Sequence, residues 1–202
     1  MTRPAAPPAD LPLLEQRVPL CPELRLELLA PEYDLDAPAA RDLLSSPPYW
    51  AFAWAGGQAL ARFVLDRPAL VAGDTVVDFG AGSGLVALAA ARAGAARVIA
   101  CDLDPRARAA IRRNARRNGL QIEIYAELSR IEGLLLAADV CYEPANVGWL
   151  RGVAAAGVSV LVSDPERRGA PMRGLEPLAR YRVTTCPDLG EPTTGACVYR
   201  VR

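Results

Sequence analysis

At 202 residues and 51% apolar, the chain suits one α/β domain, and no apolar run approaches the roughly 18–20 unbroken residues of a bilayer span. The 23 basic residues, all arginine, balance 23 acidic ones, so no global field draws the protein toward nucleic acid, and the absence of histidine excludes Ser-His and Cys-His pairs and histidine metal sites. Five scattered cysteines without a CxxC read as reduced, buried apolar residues, no metal is expected, and the start MTRPAAPPAD lacks the apolar core of a signal peptide; a soluble, cytoplasmic, monomeric protein with no membrane partner is expected.

The first 48 residues carry ten of the 18 prolines and read as an extension packed on the core formed by residues 49–202. In this extension Leu24, Leu26 and Leu28 alternate with charged residues, predicting one short strand, and Asp36 with Pro38 predicts a helix start leading into Ala39–Leu44. The pairs Pro47-Pro48 and Gly56-Gly57 are expected to frame a loop before a helix over Gln58–Leu65. Strands follow over Thr75–Phe79, Arg97–Cys101, Ile122–Tyr125, Leu134–Ala138 and Ser159–Val162. Helices are expected over Leu85–Ala93, from Asp104-Pro105 to Asn118 with Gly119 as its stop, and around Val147–Ala155. This alternation predicts a mostly parallel sheet flanked by helices, and Tyr181–Thr185 with Cys197–Val201 adds a C-terminal antiparallel hairpin. Arg112, Arg113, Arg116 and Arg117 are read as a solvated face of one helix, with a docking patch for an acidic protein as the sharper reading.

The first central strand runs into Asp78-Phe79-Gly80-Ala81-Gly82-Ser83-Gly84 and then directly into a helix. Glycines at that turn let a ligand approach the backbone, and ligands of open α/β sheets bind beyond the carboxyl ends of the strands. Asp102 closes the next strand, where a carboxylate can accept from ribose hydroxyls. Gly82-x-Gly84-x-x-Ala87 can be forced into a dinucleotide pattern, which keeps a nicotinamide-dependent oxidoreductase as a competitor. The spacing Gly80-x-Gly82-x-Gly84 and the acid at Asp78 favour a methyl donor instead. A carboxylate there repels a pyrophosphate and suits the cationic amino-acid end of S-adenosylmethionine.

The stretch Pro48-Tyr49-Trp50-Ala51-Phe52-Ala53-Trp54-Ala55-Gly56-Gly57-Gln58-Ala59-Leu60-Ala61, together with VVDFGAGSG and ACDLDP, resembles the electron transfer flavoprotein β-subunit lysine methyltransferases, a family of class I seven-strand protein-lysine methyltransferases. The likeness covers Pro48 to the C-terminus, and more weakly Pro19–Leu28. It implies a Rossmann-like seven-stranded fold with S-adenosylmethionine held by Asp78, Gly80, Gly82, Gly84, Asp102 and Leu103, and covered by Trp50 or Trp54. It also implies that Asp139 and Tyr142, in the D-x-x-Y motif Asp139-Val140-Cys141-Tyr142, face the incoming lysine, and that Ser163-Asp164-Pro165 forms the family's Asp-Pro turn. The implied substrate is the flavoprotein β-subunit; a ribosomal protein or a small amine is the alternative within the enzyme class, and a non-catalytic nucleotide-binding regulator the alternative outside it. Two departures stand out: Tyr125-Ala126-Glu127 has no polar residue in register for the adenine amino group, and the segment from Glu127 to Leu134 is short.

Overall fold

The computed structural model describes residues 11–34, 47–165, 175–190 and 194–202. Two strands, β1 (Leu13–Val18) and β2 (Cys21–Leu29), pair antiparallel where one was expected; the expected Ala39–Leu44 helix lies outside the described residues. Then come α1 (Ala55–Leu65), β3 (Thr75–Phe79), α2 (Leu85–Arg92), β4 (Arg97–Cys101), α3 (Pro105–Asn118) and β5 (Glu123–Tyr125). The chain continues through β6 (Leu134–Ala138), α4 (Pro144–Ala155), β7 (Ser159–Pro165), β8 (Glu176–Val183) and β9 (Thr194–Val201).

Seven strands form one sheet in the order β5-β4-β3-β6-β7-β9-β8, parallel from β5 to β7, with β9 antiparallel to both neighbours. The strand order reverses direction at β3, which opens a crevice beyond its carboxyl end. Both faces are covered, because successive strand residues point to opposite sides. Val76, Leu136 and Leu161 pack with Leu60, Phe63 and Val64 of α1 and with Val86 of α2. Val77, Leu135 and Val160 pack with Val147 and Leu150 of α4. Among the described residues, no helix is long and apolar enough to cross a membrane.

The Asp104-Pro105 start of α3 behaves as its residue types require: the Asp104 carboxylate accepts from the Arg106 amide at 2.8 Å, and Gly119 ends the helix at φ 65°. Three expectations need correction. Gly56 and Gly57 lie in the first turn of α1, not in a loop before it. Ser163-Asp164-Pro165 is strand, not turn, because β9 runs alongside and pairs Pro165 with Ala196. The solvated arginine face expected of α3 is divided, since two of its four arginines reach across to the hairpin. Arg113 and Arg117 turn to the hairpin and pair with Glu27 and with Glu15 and Glu27, while Arg112 and Arg116 point to solvent.

That hairpin is tied down along its length. Leu24, Leu26 and Leu28 are buried against Ala61, Leu85, Leu88 and Ala115, each contributing about 1.5–3 kcal/mol by burial. The free edge of β2 is satisfied by two asparagines one turn apart on α3. Asn114 Oδ1 accepts from the Glu27 amide at 2.8 Å, and Asn118 accepts from the Arg25 amide at 3.1 Å while donating to its carbonyl at 2.7 Å.

Candidate active site

The glycine loop leaves β3 as a chain of left-handed turns. Gly80, Gly82 and Gly84 sit at φ 69°, 52° and 83°, a region that L side chains rarely adopt. The Gly80 and Ala81 amides both donate to the Cys101 carbonyl, which fastens the loop to the end of β4. Two of the glycines also have close neighbours that would have to shift for a side chain. A Cβ at Gly80 would lie 2.8 Å from Val140 Cγ1, and one at Gly84 would lie 3.1 Å from Ile111 Cγ1. Over Gly82 there is room, the nearest heavy atom to such a Cβ being Trp50 Cα at 4.0 Å.

Two carboxylates hold this loop. Asp102 accepts from the Gly82 amide at 2.8 Å through one oxygen and from the Asp104 amide at 2.9 Å through the other. Desolvation raises its carboxyl above the usual range, against the two amides that favour the anion. Each oxygen keeps a further lone pair, so two acceptor positions remain for a diol. Asp78 is buried, 2% exposed, and accepts from the Ala87 amide at 2.9 Å in the first turn of α2. Burial pushes its carboxyl up to about 7, with the Ala87 bond opposing and Asp102 adding to the rise. A cation arriving beside Asp78 would restore the anion. Leu103, next in sequence to Asp102, is 75% exposed, an apolar side chain left in water at the lip of the crevice.

The aromatic segment before α1 crosses this crevice. Trp50 is buried against Leu29, Phe52, Ala107 and Ala110, with its indole nitrogen unpartnered and the Arg113 guanidinium 5.8 Å from its ring centroid. Trp54 is only partly buried; its indole N–H donates to the Tyr49 carbonyl at 2.8 Å, and its ring lies 5.2 Å from Phe52 and 5.9 Å from the exposed ring of Tyr49.

Asp139, one residue past β6, is the non-glycine residue at positive φ (54°) among the described residues. That backbone turns its carboxylate back onto the start of α1, where it accepts from the Gly56 amide at 3.0 Å and the Gly57 amide at 2.6 Å. Its own amide donates to the Ser163 carbonyl, extending the β6–β7 ladder. The following turn is pinned from below, the Cys141 amide donating to the buried Asp164 carboxylate at 3.2 Å. Tyr142 is 68% exposed. Its hydroxyl titrates above the usual range through desolvation first, then through neighbouring Tyr49, Glu143 and Asp102, which sets it on the same rim as those groups.

The structure therefore gathers the glycine loop, Asp102, Leu103, Trp54, Asp139 and Tyr142 at the carboxyl ends of β3, β4 and β6. It directs the Trp50 side chain into the packing between the hairpin and α3. Tyr49, Gly56, Gly57 and Val140 also build the site, and sequence reasoning gave them no part in it. The glycine pair carried the available signal, since two glycines at a helix start leave amides open to a remote carboxylate. At the end of β5, Tyr125, Ala126 and Glu127 are exposed, and the Ala126 carbonyl lies 3.4 Å from Cys101 Sγ.

A family model described as ribosomal protein L11 methyltransferase (PrmA) matches residues 59–142. An electron transfer flavoprotein beta subunit lysine methyltransferase of Xenopus laevis is 38% identical over 181 residues, covering 82% of this chain and 74% of its own length. The protein of the same name from Mus musculus is 46% identical over 101 residues, covering 50% of this chain and 40% of its own. Among solved structures, magnesium protoporphyrin IX methyltransferase from Synechocystis PCC 6803 with bound SAH matches at TM-score 0.55 and 13% identity, covering 72% of this chain and 81% of that one, a likeness of fold.

Proposed function

Because this chain belongs to the electron transfer flavoprotein beta subunit lysine methyltransferase family, we propose that it transfers a methyl group from S-adenosylmethionine to a lysine of that flavoprotein's β-subunit. The observation that carries the reading is the meeting of three elements in one crevice: the glycine loop after β3, Asp102 after β4, and the Asp139–Tyr142 turn after β6. The residues fit the cofactor. Asp102 retains acceptors for the ribose hydroxyls, Leu103 offers an exposed apolar surface to the base, and Asp78 offers a carboxyl that a cationic amino group would ionise.

When bound, S-adenosylmethionine supplies a methyl already activated on a cationic sulfur. The protein's task is then to align the amine with that carbon and to exclude water. A free lysine, with a pKa of about 10.4, must lose its proton first. Once the substrate covers the exposed rings of Tyr49 and Tyr142 and the partly buried Trp54, withdrawal from water disfavours the ammonium and eases that proton loss. Asp139 by itself would stabilise the ammonium, so its part is to capture and orient the lysine from the seat that the Gly56 and Gly57 amides give its carboxylate. The Tyr142 ring gives the cation a face.

Incubation of the purified protein with S-adenosylmethionine and recombinant flavoprotein β-subunit, followed by mass spectrometry, is expected to find methylated lysine in that subunit. Failure to bind S-adenosylmethionine or its demethylated product would overturn the reading. The match to the L11 methyltransferase model supports a second substrate, a ribosomal protein, and methylation of that protein but not of the flavoprotein subunit would reassign the target.

A further inference from the structure

Beside α3, a groove of about 400 Å³ lies between that helix and edge strand β5. Its apolar lining is Ala115, Leu120, Ile122 and Ile124, and its rim carries Arg112 and Arg116. β5 ends the sheet, and among the described residues no strand pairs with its outer edge. The two arginines are exposed and have no carboxylate partner among the described residues, whereas Arg113 and Arg117 on the same helix are both paired with the hairpin. The groove also leads to the active site. The Tyr125 carbonyl, next to Ile124, accepts from the Asp102 amide at 3.1 Å, and from Ile122 to Tyr125 an extended chain rises about 10 Å.

We propose that this groove docks an acidic segment of the protein substrate, one that presents apolar side chains to Leu120, Ile122 and Ile124 and carboxylates to Arg112 and Arg116. Charge complementarity selects the occupant: apolar side chains beside two guanidinium groups that have no carboxylate partner among the described residues fit a segment that is both acidic and apolar, and bidentate pairing to carboxylates is what guanidinium geometry provides. A segment lying along β5 would bring neighbouring residues of the substrate to the rim formed by Leu103 and Tyr125, leaving the lysine to enter beside Tyr142. The inference rests on the protein-lysine reading above.

The test is steady-state methylation of recombinant flavoprotein β-subunit by the wild type, Arg112→Glu/Arg116→Glu and Arg112→Gln/Arg116→Gln, with SAH binding measured for each. Both residues are exposed and have no carboxylate partner among the described residues, and the glutamine pair guards against a folding defect in the reversal. The expected result is a KM raised at least about five-fold by the reversal and less by glutamine, with kcat and SAH affinity within about two-fold. Rising ionic strength should raise the wild-type KM and leave that of the glutamine variant nearly flat. Unchanged KM in variants that bind SAH would overturn the docking site, and so would a loss confined to binding an RNA oligomer or to self-association. A wild type that binds SAH but methylates no protein would instead overturn the functional reading on which the proposal stands.

Discussion

The carboxylate of Asp139 accepts the amide of Gly57 at 2.6 Å across 82 positions of sequence. With the Gly56 bond at 3.0 Å, this joins the turn after β6 to the start of α1, and so to the aromatic segment that covers the glycine loop. Under the proposed function, lysine capture and the covering of the site would meet on this one side chain. Asp139→Ala leaves two helix-start amides without an acceptor, a loss of about 1–2 kcal/mol with a Tm lower by about 3–6 °C. Methyl transfer is expected to fall at least about ten-fold, because removing one carboxylate disturbs both lysine capture and the covering segment. Thermal melts beside kcat/KM check this. Near wild-type turnover with unchanged SAH affinity would remove Asp139 from the mechanism.

Gly56 and Gly57 are adjacent yet differ in what they tolerate. A Cβ at Gly56 would sit 2.7 Å from Asp139 Oδ1 and 2.8 Å from its Cγ, so the carboxylate must leave its seat. At Gly57 the nearest atom is Asp139 Oδ2 at 3.7 Å, ordinary contact. Gly56→Ala is expected to cost about 1–3 kcal/mol and to lower activity with it. Gly57→Ala is expected to be neutral or stabilising by up to about 1 kcal/mol through helix propensity. Paired denaturation curves and turnover numbers separate the two. Equal effects would show that the Asp139 seat is loose.

These glycines also mark where the sequence stopped being legible. The central strands could be read because a strand covered on both faces needs a continuous apolar run, as in Val76-Val77 or Leu134-Leu135-Leu136. The start of α3 could be read because Asp104 and Pro105 are local signals acting over two residues. Gly56-Gly57 reads as loop by the same local rules, and becomes helix because Asp139 supplies from afar the acceptor that its own turn lacks. β1 was missed because its Leu14 is exposed and its alternation weak. β7 runs on through Pro165, and β8 begins at Glu176, because β9 pairs with both, information carried on a different strand. The glycine loop is a contiguous pattern and Asp102 closes the very next strand, whereas the seat of the Asp139 carboxylate exists only once β6 and α1 have been brought together.

Asn114 links the hairpin to the glycine loop. It is fully buried, donates to the Ser83 carbonyl at 2.9 Å and accepts from the Glu27 amide at 2.8 Å, so one side chain satisfies the edge of β2 and the turn between Gly82 and Gly84. Asn114→Ala leaves both backbone groups unpaired in the interior. The expected cost is about 2–6 kcal/mol, at about 1–3 kcal/mol for each abandoned group, with a Tm lower by at least roughly 5 °C. SAH affinity is expected to fall as well, because Ser83 belongs to the loop. Asn118→Ala, on the exposed end of the same edge, should cost less and spare SAH binding. If Asn114→Ala lowered Tm without touching SAH affinity, the hairpin would be support for the fold alone.

Asp78 carries an opposition between stability and binding that pH can expose. Its folded carboxyl stands at about 7 against an ordinary 3.8, chiefly through burial, so the folded protein holds this proton more tightly than the unfolded chain. The associated stabilisation is fully present below about 3.8 and is lost as pH rises through about 7. Asn cannot ionise, yet its carbonyl can still accept from the Ala87 amide. Free Asp78→Asn protein is therefore expected to be more stable than wild type at about pH 8, by about 2–4 kcal/mol, with the difference vanishing in acid. Cofactor binding should run the other way. A cationic amino group binds the ionised carboxyl, so wild-type affinity for S-adenosylmethionine is expected to rise with pH through about 7 while the Asn variant binds at least about ten-fold more weakly and gains nothing over that range. Calorimetric titrations at about pH 6 and about pH 8, beside thermal melts of the free protein, read both effects. A variant that binds as tightly as wild type would leave Asp78 as the cap of α2 and nothing more.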